Sequence, residues 1–105
     1  MGSIKLKIKV IKAETFWERF SGFMFKKSSP HAILFCRCNS VHTFFMRFNL
    51  DIVYLDKENK IVKIIKSLKP FRIALPVYNT VSILEIPSNK NISKELTVGK
   101  KLIDF

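Results

Sequence analysis

Three charged residues lie inside apolar stretches of the sequence and are the first candidates for a functional site. Arg47 and Asp51 fall in the most hydrophobic part of the chain, and Glu85 falls in the strand-like segment 81–86. A carboxylate surrounded by apolar side chains is costly unless a cation or several donors meet it. We therefore expect either that Arg47 pairs with Glu85 and connects two strands, or that these three residues, together with His42, bind a polar ligand.

A second candidate site consists of two cysteines and a histidine. Cys36, Cys38 and His42 have the same parity, so they would lie on one face of an extended strand. Thiolate and imidazole are ligands of zinc and copper, yet a fourth ligand is not evident, and His31 would have to fold back to supply one. We predict that no metal or other cofactor is bound, and that the cysteines are reduced thiols packed as small apolar side chains.

Catalytic motifs are not evident in the sequence. Cysteine–histidine catalysis requires a thiolate, an adjacent base and an orienting third group, and the order of the two cysteines and His42 along the chain does not supply them. The sequence also contains no glycine-rich phosphate loop, nucleophile elbow or paired-carboxylate motif. We therefore assign no catalytic residue and favour a binding role over that of an enzyme.

The chain is strongly basic. Its 105 residues include 19 Lys and Arg against 8 Asp and Glu, which gives a formal net charge of +11. A field of that sign attracts nucleic acid, anionic lipid or acidic protein surfaces without selecting among them. An anionic partner, either nucleic acid or an acidic surface, is therefore a candidate ligand, although many basic domains bind none.

Length and hydropathy set the domain organisation. A chain of this size can bury one hydrophobic core, so we expect a single domain over residues 1–105. No apolar run approaches the roughly 20 residues of a transmembrane helix. The N-terminal residues alternate between charged and apolar types instead of forming a signal peptide. These features are typical of a cytoplasmic protein.

Alternating side chains predict strands along most of the chain. Residues 4–10 have apolar residues at even positions and lysines at odd positions, which indicates an edge strand. From Phe44 to Tyr54 the even positions are apolar, so we expect either one continuous apolar strand face or two shorter strands with a break at Asn49. The segments 50–55 and 61–65 form a hairpin around five polar residues. Further strands are expected at 32–36, 71–75, 80–86 and 101–105, with one helical turn within 89–96.

One short helix is predicted after the first strand. Thr15 and Glu18 have the spacing of a capping box, and Gly22 is a natural C-terminal stop. The helix would span about residues 16–22, and its phenylalanines repeat at helical spacing. We expect this aromatic face to pack on the sheet.

The stretch HTFFMRFNLDIVYLD, followed by a hairpin turn, IVKII and LKP, resembles the central motif of the domain-of-unknown-function family 192. The pieces ERFSGFM, VSILEIP and LTVGKKL match that family in the same order, so the resemblance covers nearly the whole chain. One departure is Ser88-Asn89, where family members often have a small residue and a glycine. The resemblance implies a compact, mainly β domain that occurs as a stand-alone protein in bacteria and archaea, and it supplies no activity.

Together these features predict a mainly β fold (a β-rich α+β protein), built as two packed antiparallel sheets or a flattened barrel with one short helix after the first strand. The function that they favour is a small non-enzymatic binding or accessory module. One alternative is a binder of single-stranded nucleic acid or of anionic surfaces, which lysines and aromatic side chains on a β surface would suit. The other alternative is a small-molecule or metal-dependent enzyme.

Overall fold

The computed structural model describes residues 2–15, 22–24, 26 and 28–103. These residues form nine β-strands and two short 3₁₀ helices, so the mainly β class predicted from the sequence is confirmed. The strands are β1 (Ser3–Lys5), β2 (Val10–Ala13), β3 (Ala32–Cys36), β4 (Val41–His42), β5 (Leu50–Leu55), β6 (Ile61–Leu68), β7 (Ile73–Ala74), β8 (Ser82–Pro87) and β9 (Lys101–Ile103). The 3₁₀ helices span Ser88–Lys90 and Ser93–Glu95.

A five-stranded sheet forms the centre of the fold, with strand order β2-β3-β8-β5-β6. Strand β5 lies between β8 and β6, and all six of its residues are buried. A strand that is covered on both faces has a nearly continuous apolar sequence instead of an alternation. This is why Asp51 is the only charged residue of β5.

Two small sheets complete the architecture. Strand β1 pairs with β9, and β4 pairs with β7. The β1–β9 sheet adjoins the β6 edge of the central sheet, where Ile61 N donates a hydrogen bond to Lys100 O at 2.8 Å and a bridge joins Lys60 to Lys101. The N-terminal and C-terminal strands are thereby attached to the central sheet.

The expectation of purely antiparallel sheets is wrong, because β1 runs parallel to β9 and β2 runs parallel to β3. The cause is a break in the predicted N-terminal strand. The chain leaves β9 after Lys5 and pairs with β3 from Val10 onward. The predicted inward direction of the even positions is confirmed, since Leu6 is buried and Ile4 and Ile8 pack against the same core.

The central sheet separates two apolar cores. Alternate residues of a strand point to opposite faces, so β5 and β8 each contribute to both. The first core includes Leu34, Val53, Leu55, Leu84, Ile86 and Leu102. The second core includes Phe23, Ile33, Phe35, Leu50, Ile52, Tyr54 and Ile83.

The central apolar face begins later than the sequence predicts. Phe44 and Phe45 lie in a turn and β5 starts at Leu50, but the even positions Met46 and Phe48 still pack on the second core with the even residues of β5. Phe44 is 37% exposed instead of buried. The physical reason is the backbone at Phe45, whose φ of 62° interrupts the extended chain.

The predicted hairpin is confirmed as β5 and β6. Its loop is closed by Asp56, whose Oδ1 accepts hydrogen bonds from the backbone N–H groups of Glu58 and Lys60 at 2.8 and 2.9 Å. The edge strand predicted at 71–75 is shortened to β7, because Phe71 has a φ of 63°. The helical turn predicted within 89–96 is confirmed as the 3₁₀ helix Ser93–Glu95, and the other 3₁₀ helix begins just before this segment, at Ser88.

The helix predicted over residues 16–22 lies outside the described residues except for Gly22. Gly22 has a φ of 43°, and a Cβ added there would lie 2.9 Å from Phe35 Cζ. Both the backbone and the packing therefore require glycine at this position. Among the described residues, no helix has the length and apolar composition needed to cross a membrane.

Replacement of Ile52 by alanine is expected to lower the free energy of unfolding by about 2–5 kcal/mol, because its side chain is fully buried in the second core. Lys7→Ala, at an exposed position, is the control and should change that free energy by no more than about 0.5 kcal/mol. Chemical denaturation measures both values. Equal losses would mean that the assignment of the β5 face is wrong.

Candidate functional site

The two buried acids of the central sheet lie on opposite faces. Asp51 of β5 is in register with Ile86 of β8, and Glu85 of β8 is in register with Ile52 of β5. Because Ile86 belongs to the first core and Ile52 to the second, Asp51 faces the first core and Glu85 faces the second. The two carboxylates therefore do not converge on one cleft.

Asp51 is satisfied by neutral donors. Its Oδ1 accepts hydrogen bonds from Ser67 N at 2.8 Å and from Ser88 Oγ at 2.7 Å, and its Oδ2 accepts one from Ser93 Oγ. Ser67 lies in β6 with a φ of 54°, and the other two serines begin the 3₁₀ helices. Asp51 thus connects β5 to β6 and to the chain that follows β8.

Glu85 is in a different environment. It is 2% exposed and lies between Ile33 of β3 and Ile52 of β5. Desolvation by burial raises the pKa of Glu85 to about 8. The carboxyl group is therefore mainly protonated at neutral pH.

The expected pair of Arg47 and Glu85 is not found. Arg47 is exposed in the segment before β5, whereas Glu85 is enclosed in the second core. A protonated carboxyl group needs no cation, which explains how Glu85 is accommodated at a buried position. The structure thus does not bring Arg47, Asp51 and Glu85 together.

The expected common face of Cys36, Cys38 and His42 is also not found. Arg37 has a φ of 53°, which breaks the strand alternation, so Cys36 packs on the first core and Cys38 on the second. Neither cysteine is in a disulfide. In the part of the chain that the structure describes, no group of three His, Cys, Asp or Glu side chains could hold a metal ion.

An exposed group of aromatic and apolar side chains lies on the β4–β7 sheet and its adjoining turns. We call it the aromatic patch, and it consists of His42, Phe44, Phe45, Phe71 and Ile73. Phe45, Phe71 and Ile73 are 50%, 56% and 56% exposed. The Phe71 ring centroid lies 5.6 Å from that of Phe45 and 6.5 Å from that of Phe44, whose ring stacks on His42 at 5.1 Å. His42 is paired with Ile73 across the two strands, so the patch is continuous.

Phe45 occupies an unusual backbone position in the turn formed by residues 43–46. Met46 N donates to Thr43 O at 3.2 Å and closes a β-turn with Phe45 in its third position. A positive φ at that position is normally supplied by glycine or asparagine. The φ of 62° at Phe45 therefore costs about 1–3 kcal/mol, the usual range for a strained non-glycine residue.

Phe71 occupies the same position in the turn formed by residues 69–72. Pro70 precedes it at the second position, which proline favours, and Phe71 has a φ of 63°. The backbone groups at the two ends of this turn are bridged by a side chain. The Thr43 hydroxyl donates to Lys69 O at 2.7 Å and accepts from Arg72 N at 2.8 Å.

Thr43 joins the two turns through its backbone as well. Thr43 N donates to Arg72 O at 2.8 Å, and Phe71 N donates to Thr43 O at 2.8 Å. Thr43 is completely buried beneath the patch. Its hydrogen bonds compensate for the strain at both phenylalanines and hold the two rings next to each other.

Positively charged side chains lie in the same segments as the aromatic patch. Arg47 follows the first turn, Lys69 and Arg72 flank Phe71, and all three cations are exposed. The guanidinium Nη1 of Arg72 donates to Phe71 O at 3.3 Å, which keeps this cation close to the patch. Neither segment 41–48 nor segment 69–78 contains Asp or Glu. The site therefore combines exposed aromatic faces with a positive field.

The sequence pattern placed Phe44 in the core and gave no reason to select Phe45, Phe71 or Thr43. A usable signal was present at Pro70-Phe71. Proline favours the second position of a turn and leaves the next residue at the position of positive φ. The bond between Thr43 and the distant turn has no local sequence signature.

Thr43→Val is expected to lower the free energy of unfolding by about 1–3 kcal/mol, because it removes the hydrogen-bond partner of two backbone groups in a partly buried contact, Lys69 O and Arg72 N. Thr43→Ser keeps the hydroxyl group and should cost about 0.8 kcal/mol for the lost methyl group. Urea denaturation compares the two variants. A valine variant as stable as the wild-type protein would contradict the role given to this hydroxyl.

Glu85→Gln is expected to make stability less dependent on pH. The folded-state pKa of Glu85, about 8, is above the ordinary value of 4.5, so the stabilising proton is fully present below 4.5 and is lost as the pH rises through 8. In that window the wild-type protein should lose up to about 1.4 kcal/mol per pH unit relative to the glutamine variant. Parallel stability curves for the two proteins would show that Glu85 does not titrate there.

Comparison with known proteins supports the family resemblance. The profile of the family described as Uncharacterized ACR, DUF192, matches residues 2–103. A UPF0127 protein of Pyrococcus abyssi is 32% identical over 106 residues, which cover 95% of this chain and 89% of that protein. A UPF0127 protein of Thermococcus kodakarensis is 36% identical over 85 residues, which cover 75% of this chain and 54% of that protein. In the second case the matched region spans only about half of the relative.

The fold is also found in a solved structure. A protein of unknown function from Novosphingobium aromaticivorans has a TM-score of 0.78 and 20% identity, over 90% of this chain and 73% of that one. At this identity the likeness concerns the fold alone. The family profile, by contrast, covers nearly the whole sequence, and the two archaeal relatives are 32% and 36% identical. The chain therefore belongs to the domain-of-unknown-function family 192.

Proposed function

We propose that this chain is a non-enzymatic binding module that binds single-stranded nucleic acid through the aromatic patch. The observation that carries this proposal is the pair Phe45 and Phe71. Both rings are at least half exposed and in contact with each other, and both residues have a strained positive φ. Backbone strain that the surroundings maintain is concentrated at functional sites.

The chemistry of the patch suits unpaired bases. Exposed aromatic rings offer stacking faces to any base, and each stacked base contributes about 1–3 kcal/mol. The adjacent Arg47, Lys69 and Arg72 are placed along the same segments and can neutralise backbone phosphates. The absence of acidic residues from segments 41–48 and 69–78 removes the repulsion that a polyanion would otherwise meet.

An anionic lipid surface is the second ligand class that the net charge of +11 would attract. Nucleic acid and an anionic lipid surface would use the aromatic rings of the patch differently. Bases stack on individual rings, so removal of one ring should have a large effect. Attraction to a lipid surface depends on the summed charge, so removal of one ring should matter less than removal of cations.

The proposal is tested by fluorescence anisotropy with a labelled oligothymidylate of about 12 nucleotides, a length that one small binding module can cover. Phe71→Gly is the decisive variant. It removes one ring and also relieves the positive φ, so the protein is expected to remain folded. We expect the variant to bind about tenfold or more weakly, which corresponds to the loss of one stacked base.

Val98→Ala is the matched control, because Val98 is an exposed apolar residue outside the patch. Its affinity should equal that of the wild-type protein. Arg72→Gln tests the electrostatic part, and it should reduce the slope of log affinity against log salt by about 0.7, the value for one phosphate contact to a single strand. Unchanged affinity of Phe71→Gly, or binding to anionic vesicles without binding to the oligonucleotide, would refute the proposal.

A further inference from the structure

A second surface feature lies at the end of β3. Two adjoining hollows of 330 and 590 Å³ share Arg37 and Val81 in their walls. The first hollow is also lined by Lys12, Ser82 and the apolar Leu34. Among the described residues no acidic side chain lines either hollow, so the described part of the wall combines positive charge with an apolar side.

Arg37 is held in a strained conformation at the point where the hollows meet. Its φ is 53°, in the left-handed region that arginine rarely adopts. Its Nη2 donates to the backbone oxygen of Glu14 at 3.2 Å, which fixes the guanidinium at the cavity wall. The other N–H groups of Arg37 have no partner among the described residues, so they remain available to an acceptor.

Thr80 provides an independent observation in the second hollow. Its Oγ1 is buried and is the only buried side-chain oxygen or nitrogen without a hydrogen-bond partner in the described part of the chain. Thr80 is 9% exposed and lies in the wall beside Arg37. Buried hydroxyl groups in native proteins almost always have a partner. The Thr80 hydroxyl group in the cavity wall therefore needs a partner from outside the described residues.

We propose that this cavity binds a small organic anion with one acidic group and a short apolar body. The acidic group would accept hydrogen bonds from Arg37, with Lys12 adding positive charge, because guanidinium and ammonium groups bind anions through charge-assisted hydrogen bonds. The apolar body would lie against Leu34 and Val81. The Thr80 hydroxyl would serve as a further polar contact in the second hollow.

Titration of isotope-labelled protein with hexanoate, followed by backbone amide chemical shifts, tests this proposal. We expect saturable shifts at Arg37, Val81 and Ser82, and none with hexylammonium, which has the same apolar body and the opposite charge. Arg37→Gln should weaken hexanoate binding by about tenfold or more, as loss of a charge-assisted hydrogen bond does. Lys12→Gln should weaken it as well and provides a second variant if Arg37→Gln does not fold.

Two further variants distinguish hexanoate binding in the cavity from a change in stability and from binding at the aromatic patch. Thr80→Val removes the unsatisfied hydroxyl group, so it should weaken hexanoate binding while the melting temperature stays the same or rises. Phe71→Gly should bind hexanoate normally. Absence of saturable shifts in the wild-type protein, or unchanged affinity in both Arg37→Gln and Lys12→Gln, would overturn the inference. Neither result would affect nucleic-acid binding by the aromatic patch.

Discussion

The aromatic patch depends on the hydrogen bonds of one buried hydroxyl group, that of Thr43. It lies between Lys69 O and Arg72 N, at 2.7 and 2.8 Å, where the ends of a tight turn would otherwise meet. The turn of residues 43–46 is thereby attached to the turn of residues 69–72, although more than twenty residues separate them. Both phenylalanines at the third turn position adopt a conformation that glycine would adopt without strain. The rings are exposed because this buried contact compensates for the cost.

The central sheet shows how one strand pair accommodates two acids in different ways. Asp51 accepts hydrogen bonds from a backbone N–H and two serine hydroxyls, which take the place of water at its oxygens. Glu85, one register step away on the opposite face, lies among apolar side chains, and burial raises its pKa to about 8. The same chemical group is therefore a structural connection on one face and a neutral, pH-sensitive side chain on the other.

The sequence was sufficient to predict the strands but not the sites. Alternation and apolar runs identified β3, β5, β6 and β8, because these patterns depend on which face of a strand is buried. The alternation failed at Arg37 and Phe45, where a positive φ interrupts the extended chain. For this reason Cys36 and Cys38 separate, and Phe44 leaves the core. Pro70 signals the turn that contains Phe71, but no local pattern reports that a hydroxyl group from another turn holds it.

The central claim is that single-stranded nucleic acid contacts the surface that Thr43 holds in place. A backbone amide chemical-shift map, recorded while an oligothymidylate is added to the wild-type protein, tests this claim residue by residue. The account predicts that the largest saturable shifts occur at Phe44, Phe45, Phe71 and Arg72. Shifts confined to the β3 end of the sheet, or an unchanged spectrum at low salt, would contradict it.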